Sequence, residues 1–241
     1  MTRKILFYSF LFMEFTIYCS FVLLDVHNGG PTFFSNTIKY TGIILCSLFL
    51  TIYRRYINHI KPYIYIQLSL ILVVFCDYIL LFTSRYLWGV LLFSIIQVIY
   101  FLYIRSDFGL YRYYSIILFI TALINFTVQG QGFPIQFLEI ISVFYFVSLV
   151  GNIIVSLHQI RNSSGTLREI GFTIGLILFL LCDINVGIVN LISYIPDSWT
   201  FKWTLYEFST IIIWVFYLPA QMIITLSTVL RQNQDINFYN N

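Results

Sequence analysis

Apolar runs of membrane-crossing length recur along the whole chain, and they constrain its fold more than any motif does. A helix needs about 20 apolar residues to cross a bilayer. Ile5–Leu24, Ile38–Tyr53, Tyr63–Phe82, Leu87–Ile104, Tyr113–Val128, Pro134–Leu157, Ile170–Ser193 and Trp203–Leu230 all approach that length, the second and fifth being the shortest. Only 10% of residues are charged and 59% are hydrophobic, a composition unsuited to a water-facing surface. The predicted fold is all-α: one domain, residues 1–231, built as a polytopic membrane bundle of eight transmembrane helices, with a polar C-terminal tail at 232–241. The first run follows Arg3 and Lys4 as a signal peptide would. Glu14 interrupts its core, however, and no small-residue cleavage site follows, so it reads as a retained helix.

Loop charge supports the count independently. Arg3, Lys4, Arg54, Arg55, Lys61, Arg105, Arg112, Arg161, Arg168 and Arg231 fall at one side of the eight runs; Lys39, Arg85 and Lys202 fall at the other. The excess side is cytoplasmic by the positive-inside rule, so both termini are expected there. This makes the protein an integral, multi-pass one, of the plasma membrane or an endomembrane. The turn residues agree with the boundaries: His27–Pro31, Gln129–Pro134, Asn162–Gly165 and Pro196-Asp197 lie between runs.

Leu70–Asp77 reads LILVVFCD and Leu176–Asp183 reads LILFLLCD, 106 residues later. Each puts a carboxylate inside an apolar helix, at a cost of about 3 kcal/mol on insertion scales, so each marks a candidate functional site. Both helices run in the same direction on this topology, which places the two Asp residues at one depth and suggests a 4+4 parallel repeat. Helices 4 and 8 share a shorter echo, Gln97 opening QVIYFL and Gln221 opening QMIITL. If Asp77 and Asp183 approach closely they can share one proton, leaving an acid beside a base. Such a pair could protonate a substrate atom and activate water. The alternative is a structural hydrogen bond between them.

The remaining intramembrane polar residues are few. Asn152, Asn185 and Asn190 suit interhelical hydrogen bonds, while Glu139 and Glu207 suit solvated helix ends. His27, His59 and His158 lie between runs, which leaves an intramembrane histidine metal site unsupported. Lys4, Lys39, Lys61 and Lys202 read as terminal or loop residues, leaving no mid-helix lysine for a Schiff base. The four cysteines, Cys19, Cys46, Cys76 and Cys182, sit in apolar runs without the spacing of a metal or disulfide framework. The basic residues form no stripe, so nucleic acid is not a partner. No cofactor is implied, and no GxxxG face specifies an oligomer.

Four motifs together resemble the YhhN-like membrane proteins, the family that includes the lysoplasmalogenases. Cys76, Asp77, Leu80 and Leu81 are similar to its Gly-Asp-x-x-Leu element. Gly89, Phe93, Gln97 and Tyr100 follow its G-x-x-x-F-x-x-x-H-x-x-Y pattern, with glutamine in place of histidine. Gly175, Phe179, Cys182 and Asp183 are close to G-x-x-x-F-x-x-S-D, and Tyr217, Ala220, Gln221 and Ser227 resemble the family's Y-x-x-A-Q ending. The resemblance implies an intramembrane hydrolase that cleaves the vinyl ether bond of a lysoplasmalogen-type lipid, with Asp77 and Asp183 catalytic and Gln97, Tyr100, Tyr217 and Gln221 binding the lysophospholipid-like substrate. Gln97 departs from the pattern, because an amide cannot shuttle a proton. A non-catalytic lipid-binding protein or small transporter on the same scaffold is the alternative.

Overall fold

The computed structural model describes residues 3–57, 60–104, 109–131, 136–162, 165–196 and 199–230. His59, Arg105, Pro134 and the tail from Arg231 onward lie outside them. The described residues form eight α-helices, α1 (Arg3–Asn28), α2 (Phe33–Tyr53), α3 (Ile60–Phe82), α4 (Tyr86–Ile104), α5 (Leu110–Gly130), α6 (Phe137–Asn162), α7 (Leu167–Leu191) and α8 (Lys202–Leu230), and contain no strand. All eight are long and apolar enough to cross a membrane, including the two weakest runs, α2 and α5. Large apolar side chains such as Phe12, Phe75, Phe119 and Ile154 face outward, as lipid-facing residues do.

Helix ends follow from local chemistry. Thr32 and Ser35 form a reciprocal capping box at the start of α2, and Thr166 and Glu169 form another at the start of α7. Gly29 at φ 66° and Gly165 at φ 56° take the left-handed turns just before them. Inside α8, Pro219 removes the amide that would bond to the Val215 carbonyl one turn earlier; the Tyr18 hydroxyl of α1 reaches that carbonyl at 3.5 Å.

The bundle is built from two four-helix units that pair alike. α1 packs on α2, α2 on α3 and α3 on α4; correspondingly α5 packs on α6, α6 on α7 and α7 on α8. The last helix of each unit then closes against the first three of the other. α8 lies against α1, α2 and α3, while α4 lies against α5, α6 and α7. Burial follows the same register. At the interval of 106 residues the buried positions 35, 39, 42, 43, 46 and 50 of α2 match the buried 141, 145, 148, 149, 152 and 156 of α6. Positions 66, 69, 70, 73 and 76 of α3 likewise match 172, 175, 176, 179 and 182 of α7. Between α4 and α8 the interval is 124, because α7 runs further, a longer link follows it and α8 has extra turns at its start; positions 93, 97, 100 and 104 match 217, 221, 224 and 228. The LIL…CD echo is therefore part of a repeat of packing faces that extends over at least three helices of each unit.

One reading from loop charge is corrected. Lys39 is not a loop residue: it lies in the second turn of α2, fully buried, and pairs with Asp25 near the end of α1. A buried cation needs a partner, and a single sequence does not show which helix supplies it. Lys202 is also buried, opening α8 with its ammonium 2.7 Å from the Ile195 carbonyl.

Candidate functional site

Asp77 is the eighteenth residue of α3 and Asp183 the seventeenth of α7. Both therefore stand nearer the far ends of their helices than the apolar runs alone suggest. Asp77 is 3% exposed, and the Tyr217 hydroxyl of α8 donates to its carboxylate at 2.9 Å from each oxygen. Asp183 is half-buried, and the Tyr145 hydroxyl of α6 donates to its Oδ2 at 2.5 Å. The two carboxylates thus form no hydrogen bond to each other. Each is held instead by a tyrosine hydroxyl from a neighbouring helix.

The two tyrosines belong to one aromatic cluster. Phe93 of α4 lies 5.7 Å from Tyr145, 5.5 Å from Phe179 and 6.4 Å from Tyr217 between ring centres. Phe179 of α7 closes the set at 5.5 Å from Tyr217 and 6.5 Å from Tyr145. Four helices thus meet through rings whose hydroxyls reach the carboxylates on α3 and α7. Edge-on and tilted pairs of this kind add about 0.5–1.5 kcal/mol each to burial, which fixes the hydroxyls in position.

Two glycines allow the close crossings behind the site. A side chain on Gly89 would run into Leu80 of α3, and one on Gly175 would meet Ile224 at 2.5 Å and the Ala220 carbonyl at 3.2 Å. Cys76 donates to the Gly89 carbonyl at 3.1 Å, tying α3 to α4 beside Asp77.

The other expected substrate-binding residues lie deeper toward the chain termini. Gln97 follows Phe93 by one turn and is fully buried; its amide oxygen accepts from Asn152 at 3.0 Å, and Asn152 in turn accepts from the Tyr113 hydroxyl at 3.0 Å. Gln221, one turn beyond Tyr217, is buried with neither amide atom hydrogen-bonded to the described residues. Tyr100, fully buried seven residues along α4 from Phe93, packs edge-on against Phe172 at 5.3 Å, and its hydroxyl makes no hydrogen bond to either carboxylate. Asn152 is the interhelical link expected of it. Asn185 instead bonds back to Leu181 of its own helix, Asn190 donates to Val186, and Glu139 accepts from the Gln136 amide as a helix-start residue.

Sequence reasoning did not find Tyr145, although it is the partner of Asp183. One of nineteen tyrosines carries no signal by itself. At the 106-residue interval it is in register with Lys39, which the sequence presents as a loop charge, so the repeat did not single it out either.

Fold and site together define a polytopic helical membrane protein with two tyrosine-bound carboxylates joined by an aromatic cluster. Comparison with protein-family models, with curated proteins and with solved structures finds no match.

Proposed function

We propose that this protein is an intramembrane hydrolase of the vinyl ether bond in lysoplasmalogen-type lipids. The observation that carries the reading is the pair Asp77–Tyr217 and Asp183–Tyr145 converging on one ring cluster. The ordered motifs that resemble the YhhN-like family supply the substrate class. An enol ether is cleaved by proton transfer to its β-carbon, which leaves an oxocarbenium ion at the carbon bearing oxygen. Water adds there and gives its proton to a base, and the resulting hemiacetal collapses to an aldehyde and the free glycerol hydroxyl. One carboxyl delivers a proton to carbon and the other receives one from water; collapse of the hemiacetal moves its hydroxyl proton to the leaving oxygen, and return of the proton from the second carboxyl to the first through water resets the pair. The tyrosines orient the carboxyls, and the rings offer an apolar wall to the alkenyl chain.

The test is aldehyde release from a lysoplasmalogen by purified protein in vesicles. Asp77→Asn and Asp183→Asn should each abolish release while leaving thermal unfolding near that of the parent. Full activity in either variant would overturn the carboxylate pair. The hold of Asn152 on Gln97 favours a second reading, a lipid-binding protein without turnover, because that amide is tied into packing and moves no proton. Saturable lipid binding with no aldehyde from the parent protein would select it.

A further inference from the structure

A buried ion pair beside the site is not used by the carboxylate chemistry. The Lys39 ammonium lies 2.5 Å from Oδ2 of Asp25, and both side chains are fully buried. Its other neighbours are Oδ1 of Asn36 at 3.4 Å and the faces of Phe21 and Trp214, with ring centres at 5.7 and 5.4 Å. One chain of contacts leads from this pair to Asp77, from Lys39 over Trp214 to Tyr217, and a second ring contact packs α2 on α3 at the same level. Trp214 stands edge-on to Tyr217 at 5.0 Å, and Tyr40, next to Lys39, lies 6.2 Å from Tyr78, next to Asp77. Helix rise puts Lys39 about 9 Å from the start of α2 and Asp77 about 7.5 Å from the end of α3, at the same end of the bundle.

The internal repeat sharpens the contrast. Lys39 is in register with Tyr145 at the interval that relates Asp77 to Asp183. In the second unit Tyr145 turns to the carboxylate on α7; in the first, Lys39 turns away from α3 toward α1. A buried ion pair is weak support for stability, since apolar residues of similar volume often do as well. One of each charge, with two aromatic faces between α1, α2 and α8, instead matches a ligand that carries one of each charge.

We infer that Asp25, Lys39, Phe21 and Trp214 form a headgroup subsite that exchanges partners with a zwitterionic phospho-amine. Lys39 takes the phosphate, and the ligand's ammonium takes Asp25 and the aromatic faces. No charge is left unpaired by this exchange, whereas an anion alone would strand Asp25. The headgroup then anchors a lipid whose ether bond lies against Asp77 and Asp183; this last step rests on the hydrolase reading.

The test compares a phosphocholine-headed lysoplasmalogen, a phosphate-headed one without the amine, and an alkenyl glycerol without either. Because a lone Lys39→Gln strands Asp25 and can fail to fold, the variant used is Asp25→Asn with Lys39→Gln, which neutralises both. Binding is read from Trp214 fluorescence, with Trp214→Phe as the blank, alongside KM and kcat. The parent should favour the zwitterionic lipid over the glycerol, and the double variant should erase about 10- to 100-fold of that preference, through KM. An unchanged preference, or equal losses on all three lipids, would overturn the subsite. If no lipid yields aldehyde, the hydrolase reading fails while the fluorescence arm still decides the subsite. Soluble phosphocholine should compete only weakly; binding as tight as the lipid's would overturn a lipid source.

Discussion

The Tyr217 hydroxyl lies 2.9 Å from both carboxylate oxygens of Asp77, a bond between α8 and α3 that spans 140 residues of chain. Its counterpart between Tyr145 and Asp183 joins α6 to α7. Each carboxylate is thus held by a different helix pair, and Phe93 and Phe179 pack between the two tyrosines. The two carboxyls are positioned by packing drawn from both four-helix units.

Tyr217→Phe and Tyr145→Phe keep the rings and remove the hydroxyls. Losing a buried hydrogen bond while its partner stays buried costs about 1–3 kcal/mol, so each variant should lower the aldehyde-release rate about 10- to 100-fold and the unfolding temperature by a few degrees. Wild-type rates in both would mean that the hydroxyls do not orient the carboxyls.

Gly175→Val should destabilise the bundle by about 1–3 kcal/mol, because its side chain would enter the space of Ile224 and the Ala220 carbonyl. Gly187→Ala, in the same helix, meets nothing within 4 Å and should unfold at or above the parent temperature. Thermal unfolding in detergent reads both.

Asp25→Asn alone should cost about 3–5 kcal/mol, since it leaves the Lys39 ammonium buried without its counter-charge. Adding Lys39→Gln should recover most of the loss. A double-mutant cycle on chemical unfolding in micelles measures this, and additive losses would show that the pair is not coupled.

Gln97→His places an imidazole where the resembled family carries histidine, beside the Asn152 amide that now bonds to Gln97. The variant is expected to raise the rate of aldehyde release. Rates at or below the parent's would remove position 97 from the chemistry.

The sequence by itself determined the number of helices, their order and the candidate carboxylates. Hydropathy is a local property, and one unsatisfied charge in an apolar run announces itself wherever the run folds. Asp77 and Asp183 were legible for that reason, and their shared interval hinted at the repeat. Only the tertiary structure decided their partners. Tyr217 stands out only through its motif, without its partner Asp77; Tyr145 looks like any other aromatic residue in an apolar run until helix packing turns it inward, and Lys39 looks like a loop charge until Asp25 arrives from α1. Hydrogen bonds and ion pairs are made across helices, at distances set by how the faces pack, and no one helix carries that information alone.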